Sequence, residues 1–316
     1  EHFSTHANSF YEIKMTPPKK LKFKTPAKIN LGLHIHKKRD DGFHELETLL
    51  QMVAWFDEVE LEETQENIEL ICDTPDIPND ETNLVVKAAR LLQNRFPGKC
   101  RGAKIKLKKN IPSGAGLGGG SGNAAGVLLA LNLLWNLKIP RDDLISMASG
   151  LGSDVPFFLM SPCAIGTGKG EILQPVENPI SFYILMIYPG FPIATPWVYS
   201  NLKLKLTKAE NNISILKNFI LRSEFAQLGA ALHNDLEPVV FKRYPEILEI
   251  KDELLNSGAG GALLSGSGST VFGIFDNPEI AKKALVRFTG GKHRVFLAKS
   301  ITRFSEFFPK EMISAF

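Results

Sequence analysis

A stretch of fourteen residues, PSGAGLGGGSGNAA at 112–125, constrains this chain more than any other feature of its sequence. Six of the nine residues from Gly114 to Gly122 are glycine, and glycine loses more backbone entropy on folding than any other residue. The stretch leads into an apolar segment that predicts a helix from about Ser121 to Trp135. Because helix N-termini attract anions, we predict a phosphate-binding loop; the alternative is a tightly packed turn.

The common types of phosphate loop fit this stretch poorly. Gly114, Gly116 and Gly119 have the dinucleotide-binding spacing, but the preceding strand is polar at alternate positions, unlike the buried first strand of a Rossmann unit. A Walker A loop needs Gly-Lys-Ser/Thr, which the chain lacks. The His-Arg-Asp and Asp-Phe-Gly motifs of protein kinases are also missing from the sequence.

The composition is that of a soluble globular protein. The net charge is only +3, which gives no reason to expect nucleic acid as a partner. Three widely spaced cysteines favour a reducing compartment over a disulfide framework. The most apolar run, residues 182–188, is far shorter than the roughly 20 residues that span a bilayer, so we expect no membrane segment.

Hydrophobic periodicity predicts an α+β fold rather than a regular alternation of strands and helices. We expect strands near 27–35, 46–50, 59–61, 68–72, 103–107 and 182–188, and helices near 82–96, 121–135 and 142–150. After Asn256 we expect a strand, a turn, a second strand and a helix.

We expect three parts along the chain. Residues 1–20 lack a signal-peptide core; they are either added residues ahead of a natural start at Met15 or the remainder of a trimmed organellar transit segment. Residues 21–178 and 179–316 form two domains, with a boundary near Pro179. A bacterial cytoplasm or a plastid stroma would suit such a chain, as a monomer or a weak homodimer.

Three motifs resemble those of the GHMP kinases, the family of galactokinase, homoserine, mevalonate and phosphomevalonate kinases. The loop contains the pattern Pro-x-x-x-Gly-Leu-x-x-x-Ser at 112–121, PAKINLGL at 26–33 is similar to the first motif, and LLSGSGST at 263–270 is similar to the third. The resemblance implies ATP, with Mg²⁺ arriving alongside it. It also implies a ribosomal-protein-S5-like N-terminal nucleotide-binding domain and a ferredoxin-like C-terminal substrate domain.

Further stretches resemble the GHMP kinases that act on a diphosphocytidyl ester of methylerythritol. They are RDDGFHELET at 39–48, GLGSDVPFFL at 150–159 and NDLEPVV at 234–240. The implied reaction is phosphorylation of the 2-hydroxyl in the non-mevalonate route to isoprenoids. The alternatives are another kinase of the family, of the homoserine or mevalonate type, and a non-catalytic protein of this fold that binds a nucleotide or sugar.

The resemblance assigns the catalytic pair to Lys28 and Asp154. Phosphoryl transfer to an alcohol needs an acceptor for the hydroxyl proton and cations near the transferred group. Asp154 would be the base, and Lys28 would hold the hydroxyl oxygen. By residue type alone, a solvated strand lysine and a loop-capping aspartate are the more ordinary interpretations.

The other site residues follow from the same resemblance. The ATP-binding positions are Pro112, Ser113, Gly114, Ala115, Gly116, Leu117, Gly118, Gly119, Gly120, Ser121 and Gly122 of the loop, with Asn83, Leu84 and Lys109 at the adenine pocket. Ser121 is also the candidate Mg²⁺ ligand, or else a plain helix cap. Gly122 stands where a serine is usual in the family, so this chain lacks a hydroxyl at that position.

The expected substrate contacts are Asn30, which would orient the alcohol, and three residues for cytosine. Phe43 and Tyr199 would stack on the base, and His44 would bond its edge. The family more often has tyrosine at the position of Phe43 and phenylalanine at the position of Tyr199. In this chain the ring hydroxyl is therefore at 199 instead of 43. We expect His34, His36 and His233 to be surface or core residues, and no ligand spacing suggests a tightly held metal.

Overall fold

The computed structural model describes residues 18–178, 180–203 and 213–314, whose strands form two sheets. The strands are β1 Lys20–Lys38, β2 His44–Thr64, β3 Ile68–Cys72, β4 Gly102–Lys108, β5 Cys163–Thr167, β6 Ile172–Pro175, β7 Tyr183–Tyr188, β8 His233–Asn234, β9 Gly261–Leu264, β10 Val271–Phe275 and β11 Arg294–Lys299. The helices are α1 Leu84–Arg95, α2 Gly119–Leu134, α3 Arg141–Ser149, α4 Phe157–Met160, α5 Thr195–Ser200, α6 Ile213–Leu221, α7 Phe225–Ala230, α8 Glu237–Arg243, α9 Pro245–Asn256, α10 Pro278–Phe288 and α11 Lys310–Ile313.

The two sheets confirm the α+β class. In the first sheet the strand order is β3-β4-β2-β1-β8, and β5 and β6 extend it from β2. Its pairings are antiparallel except β3 with β4 and β1 with β8. The second sheet has the order β11-β7-β10-β9 and is antiparallel throughout.

The prediction of separate strands near 46–50 and 59–61 is wrong, because both segments belong to the single strand β2. This strand pairs with β1 along most of its length, and its other side pairs first with β5 and then with β4. The register shifts where Pro26 faces Phe56 while Ala27 faces Val53. Such a bulge bends a strand without ending it, which lets one strand serve both ends of the sheet.

Helix α2 fixes the position of the glycine-rich stretch. It begins at Gly119, two residues before the predicted start, so the last glycines of the stretch form its first turn. The helix is buried on nearly every side and packs closely against β1. A Cβ at Gly126 would lie 2.6 Å from Thr25 Cγ2. Helix α2 therefore packs directly over β1.

The second sheet supplies the third glycine-rich segment, residues 265–270, which connects β9 to β10. The predicted boundary residue Pro179 lies outside the described residues, as do residues 1–17 of the predicted extension. Strands β6 and β7, on either side of that boundary, belong to different sheets. The C-terminal residues Phe307, Phe308 and Met312 return to the core of the first sheet. Within the described ranges, no helix has the length and apolar character needed to cross a membrane.

Candidate active site

The glycine-rich stretch forms a loop whose last residue caps α2 with backbone alone. Gly114, Gly116 and Gly118 have φ values of 65°, 79° and 65°, in the left-handed region that favours glycine. Gly118 is the N-cap of α2 and makes no capping hydrogen bond through a side chain. The first N–H groups of this helix therefore have no side-chain acceptor at the cap, which suits an anion.

Several glycines of the loop are required by packing. A Cβ at Gly116 would lie 2.1 Å from the carbonyl oxygen of Ser265, and one at Gly118 would lie 2.9 Å from Lys28 Cγ. At Gly122 it would lie 2.9 Å from the carbonyl oxygen of Pro26. Glycine is therefore needed at these three positions for close packing, as the alternative of a tightly packed turn expects. This packing also gives a physical reason for glycine at 122, where a serine side chain would collide with β1.

Gly120 differs from its neighbours because it is exposed at the amino end of α2. A Cβ there would have Leu84 Cδ1, at 4.0 Å, as its nearest neighbour. Ser121 is half-buried in the first turn of the helix and is not the N-cap, so the prediction of a plain cap is wrong. Ser113 is exposed, while Pro112, Ala115 and Leu117 are buried beneath the loop.

Lys28 lies on β1 directly beneath this loop. Its side chain is only 6% exposed, and its Nζ donates to Asn30 Oδ1 at 2.9 Å. The same Nζ lies 3.5 Å from Asp154 Oδ2. Its backbone N–H donates to the carbonyl of Leu117 at 2.9 Å, which ties the strand to the loop. The interpretation of Lys28 as a solvated strand lysine is therefore wrong.

Asn30 is held in place by Thr48, which was not predicted as a site residue. Asn30 Nδ2 donates to Thr48 Oγ1 at 2.8 Å, and the Thr48 hydroxyl donates to the carbonyl of Gly32 at 2.7 Å. The Asn30 amide thus has its orientation fixed, with the oxygen toward Lys28. A threonine on a neighbouring strand, 18 residues along the chain, carries no local signal of this role.

Asp154 lies in the turn between α3 and α4, and its side chain is 39% exposed. Tyr199, on α5, is close enough to feel its charge. Burial, reinforced by the negative charge of Asp154, raises the pKa of Tyr199 to about 12. Tyr199 therefore keeps its phenolic proton near neutral pH. Asp154 itself lies near the buried Lys28 ammonium and is also accessible to solvent.

The third glycine-rich segment closes over the same group. A Cβ at Gly266 would lie 3.3 Å from Asn30 Oδ1 and 3.5 Å from Lys28 Nζ. Ser265 fastens this segment to the first loop, since its hydroxyl donates to the carbonyl of Gly116 at 3.0 Å. The three motifs, which are far apart in sequence, thus meet around one ammonium group.

The predicted adenine-pocket residues have structural partners of their own. Asn83 is the N-cap of α1, and its Oδ1 accepts from the N–H of Val85 at 2.9 Å. Lys109 Nζ contacts the buried carboxylate of Asp57 and donates to Asn123 Oδ1 at 3.0 Å. Asp57 and Asn123 were not predicted. Lys109 still lies beside the loop, since its Nζ would be 3.2 Å from a Cβ at Gly119.

Two of the three predicted cytosine contacts touch each other. The rings of His44 and Tyr199 have centroids 5.2 Å apart. Burial, with a smaller contribution from the Lys38 charge, lowers the pKa of His44 below its usual value, so it is neutral near pH 7. Phe43 is 54% exposed, and Lys169 Nζ lies 4.5 Å from its ring centroid. A core role for Phe43 is thereby excluded.

A cavity of about 770 Å³ lies elsewhere, between the outer parts of β1, β2 and β4 and the C-terminal segment. Its walls include Lys24, Glu58, Lys106 and Phe308. None of the predicted site residues lines it. This cavity is therefore separate from the group around Lys28.

Comparison with known proteins bears on the family and the fold. The model of the GHMP kinases N terminal domain matches residues 83–162, and that of the GHMP kinases C terminal domain matches residues 215–290. A Chlorobium phaeobacteroides (strain BS1) protein named 4-diphosphocytidyl-2-C-methyl-D-erythritol kinase is 44% identical, over 82% of this chain and 90% of its own length. A Syntrophus aciditrophicus (strain SB) protein of the same name is 44% identical, over 89% of this chain and 99% of its own length.

Solved structures give the same result for the fold. A crystal structure of 4-(cytidine 5'-diphospho)-2C-methyl-D-erythritol kinase matches with a TM-score of 0.77 and 33% identity, over 89% of this chain and 99% of the other. Homoserine kinase from Cytophaga hutchinsonii matches with a TM-score of 0.74, over 91% of this chain and 96% of the other. At 22% identity the second likeness bears on the fold alone.

The open position at Gly120 gives a test of the phosphate loop that Gly118 or Gly119 cannot give, since side chains there would strike Lys28 or Ile111. We expect Gly120→Val to raise the dissociation constant of ATP at least tenfold, because it blocks N–H groups whose bonds to a charged acceptor are worth about 1.5–3 kcal/mol each. Calorimetric titration with ATP measures this, and the unfolding temperature should hardly move.

The matched control is Gly291→Val, at another exposed glycine where a Cβ has only the Phe288 carbonyl nearby, at 3.9 Å. It should bind ATP like the unaltered chain. Equal affinity for ATP in both variants would contradict the assignment of the amino end of α2 to phosphate.

Proposed function

The chain belongs to the GHMP kinases, and we propose that within this family it transfers the terminal phosphoryl group of ATP to the 2-hydroxyl of 4-diphosphocytidyl-2-C-methyl-D-erythritol. The observation that carries the proposal is the contact of the buried Lys28 ammonium with the Asp154 carboxylate beneath the amino end of α2. The names and extent of the relatives support the choice of substrate.

The loop residues suit the phosphates of ATP. The amino end of α2 has a positive dipole, and its N-cap, Gly118, makes no capping hydrogen bond through a side chain. Leu84, close to Gly120, would contact the nucleotide on the outer side of the helix. Mg²⁺, which prefers oxygen ligands, would offset charge on the phosphate oxygens, and the Ser121 hydroxyl in the first turn would be its protein contact.

The Lys28 ammonium has the right partners for phosphoryl transfer. The ammonium has three donors, of which one bonds Asn30, and Asp154 lies 3.5 Å away. If a second donor serves Asp154, the third would be available to the acceptor oxygen or the transferred group. Because this charge is buried and fixed before the substrate binds, it stabilises developing negative charge with little reorganisation.

Asp154 would complete the transfer. Its carboxylate, partly open to solvent, would accept the proton of the 2-hydroxyl as the oxygen attacks the terminal phosphorus. The new bond joins that oxygen to phosphorus, and the bond from phosphorus to the bridging oxygen of ADP breaks. The proton ends on Asp154, and ADP leaves with the negative charge.

The cytidine end of the substrate would lie against His44, Tyr199 and Phe43. His44 is neutral near pH 7 and so offers both a donor and an acceptor to a base edge. Tyr199 lies against His44 and feels the charge of Asp154, so it is near both ends of the proposed substrate. The exposed ring of Phe43 leaves a face free for stacking.

A panel of alcohols tests the substrate. We expect release of ADP with the cytidine diphosphate ester of methylerythritol and none above background with homoserine, mevalonate or galactose. The reason is that a site with an aromatic ring and a neutral histidine set aside for a base has unpaired groups when the base is missing. A coupled assay for ADP measures it, and comparable rates with any of the other three alcohols would refute the substrate assignment.

A second prediction concerns the base. Asp154→Asn should lower kcat by roughly 10² to 10⁴, the usual contribution of a general base, while affinity for ATP and for the ester hardly changes. Lys28→Met should also lower kcat, and the double variant should lose much less than the product of the two losses, because both groups act on one hydroxyl. Steady-state kinetics with both substrates measures these values.

The contrary outcome for this pair is specific. In a dissociative transition state the alcohol loses its proton late, and the base contributes little. A loss below about tenfold for Asp154→Asn, with a large loss for Lys28→Met, would overturn the assignment of Asp154 as base and leave Lys28 as the group that determines the rate.

A third prediction concerns Phe43. Stacking of a base on an aromatic ring is worth about 1–3 kcal/mol, so Phe43→Ala should raise KM for the ester about 5- to 150-fold and leave KM for ATP unchanged. Ile172→Ala is the control, since Ile172 is also exposed, at 62%, and has no proposed contact with substrate. Equal KM values for the ester in both variants would remove Phe43 from the site.

A further inference from the structure

Two histidines and an aspartate outside the proposed active site meet where β8 pairs with β1. His34 lies on β1, and His233 and Asp235 lie in and just after β8. One ligand atom from each of the three residues can be chosen so that all lie within 4.8 Å of one another. From the sequence we expect His34 and His233 to be ordinary surface or core residues, because no motif places them in a site.

The contacts within this group are close but incomplete. His233 Nε2 lies 2.7 Å from Asp235 Oδ1, and His34 Nδ1 lies 3.8 Å from Asp235 Oδ2. The two imidazole rings stack, with centroids 4.7 Å apart and planes 15° apart. Three nitrogen and oxygen donors of the kinds that bind zinc thus surround one small space.

A second observation points to a ligand. His34 is only 4% exposed, and its Nε2, the ring nitrogen other than the one 3.8 Å from Asp235, is buried with no hydrogen-bond partner among the residues that the structure describes. A buried polar atom without a partner costs free energy, and such atoms are rare in folded proteins. The His34 ring thus has a capacity for bonding that its protein neighbours leave unused.

We propose that His34, His233 and Asp235 bind a divalent cation of the zinc class, with water completing the coordination. Two histidines and one carboxylate with an open position form a known type of zinc site. Because the two rings are nearly parallel, their nitrogen lone pairs point in parallel planes and do not converge on one ion. One ring therefore has to turn when the cation binds. His233, whose side chain is 39% exposed, has the space to do so.

The residues around the group already orient one of the ligands. Asp235 Oδ2 accepts the backbone N–H of Ile35 at 2.7 Å, which fixes the carboxylate against β1. Outer hydrogen bonds of this kind hold metal ligands in place. A cation bound here would join β8 to β1 by coordination in addition to their short parallel pairing at Gly32 and Leu33.

The site is connected to the third glycine-rich segment through one residue. Asn234 lies between His233 and Asp235, and its Nδ2 donates to the carbonyls of Leu264 and Gly266, both at 2.8 Å. Gly266 faces Lys28 Nζ and Asn30 Oδ1. A cation held by the two flanking residues would therefore restrain the segment that covers the Lys28 ammonium.

Metal binding by the full-length chain tests this proposal without any assay of activity. We expect calorimetric titration with Zn²⁺ to give one site per chain. We expect His34→Gln and His233→Gln each to weaken that site by more than about tenfold. Zn²⁺ should raise the unfolding temperature of the unaltered chain and of neither variant, since a ligand that binds only the folded state stabilises it.

The matched control is His36→Gln, on the same strand but exposed, which should bind Zn²⁺ like the unaltered chain. Co²⁺ should give the absorption of a site with nitrogen and oxygen ligands and no thiolate band, which separates this site from the three free cysteines. If His34→Gln fails to fold, Asp235→Asn takes its place. The proposal is overturned by the lack of a stoichiometric site, by a thiolate band, or by equal binding in the variants and the control.

Discussion

The buried ammonium group of Lys28 is the feature on which the rest of the site depends. Taking a charge out of water costs several kcal/mol unless it is paired and hydrogen-bonded. Here Asn30 and Asp154 supply the partners, and Thr48 holds Asn30 in the required orientation. A buried lysine without such partners would lower the stability of the fold. This environment is therefore the physical reason to propose Lys28 as part of a reaction site.

The glycines of the two loops make that burial possible. The Lys28 side chain lies where Gly118 of the first loop and Gly266 of the third segment both approach it. Ser265 joins the two segments through its bond to the carbonyl of Gly116. Several of these glycines thus allow close packing around a charge, while Gly120 is exposed at the amino end of α2, where we propose that phosphate binds.

Much of the fold and part of the site could be predicted from the sequence, for identifiable reasons. The α+β class, the family, and the strand and helix around the glycine-rich stretch are confirmed, because periodicity and glycine spacing are local signals. The continuity of β2 was missed, because its bulge near Ala54 depends on β1. Thr48, Asp57 and the meeting of His34 with His233 were missed as well, since each depends on chain segments that come together only in the fold. The roles of individual site residues stay predictions.

The position of the acceptor hydroxyl relative to Lys28 and Asp154 is the most direct test of the proposed active site. A crystal structure of the complex with a non-hydrolysable ATP analogue and 4-diphosphocytidyl-2-C-methyl-D-erythritol would locate its 2-hydroxyl oxygen. We predict that this oxygen lies within hydrogen-bond distance, about 2.6–3.2 Å, of both Lys28 Nζ and the Asp154 carboxylate, with the terminal phosphate at the amino end of α2. A 2-hydroxyl beyond reach of both groups, or a phosphate bound away from α2, would contradict the account.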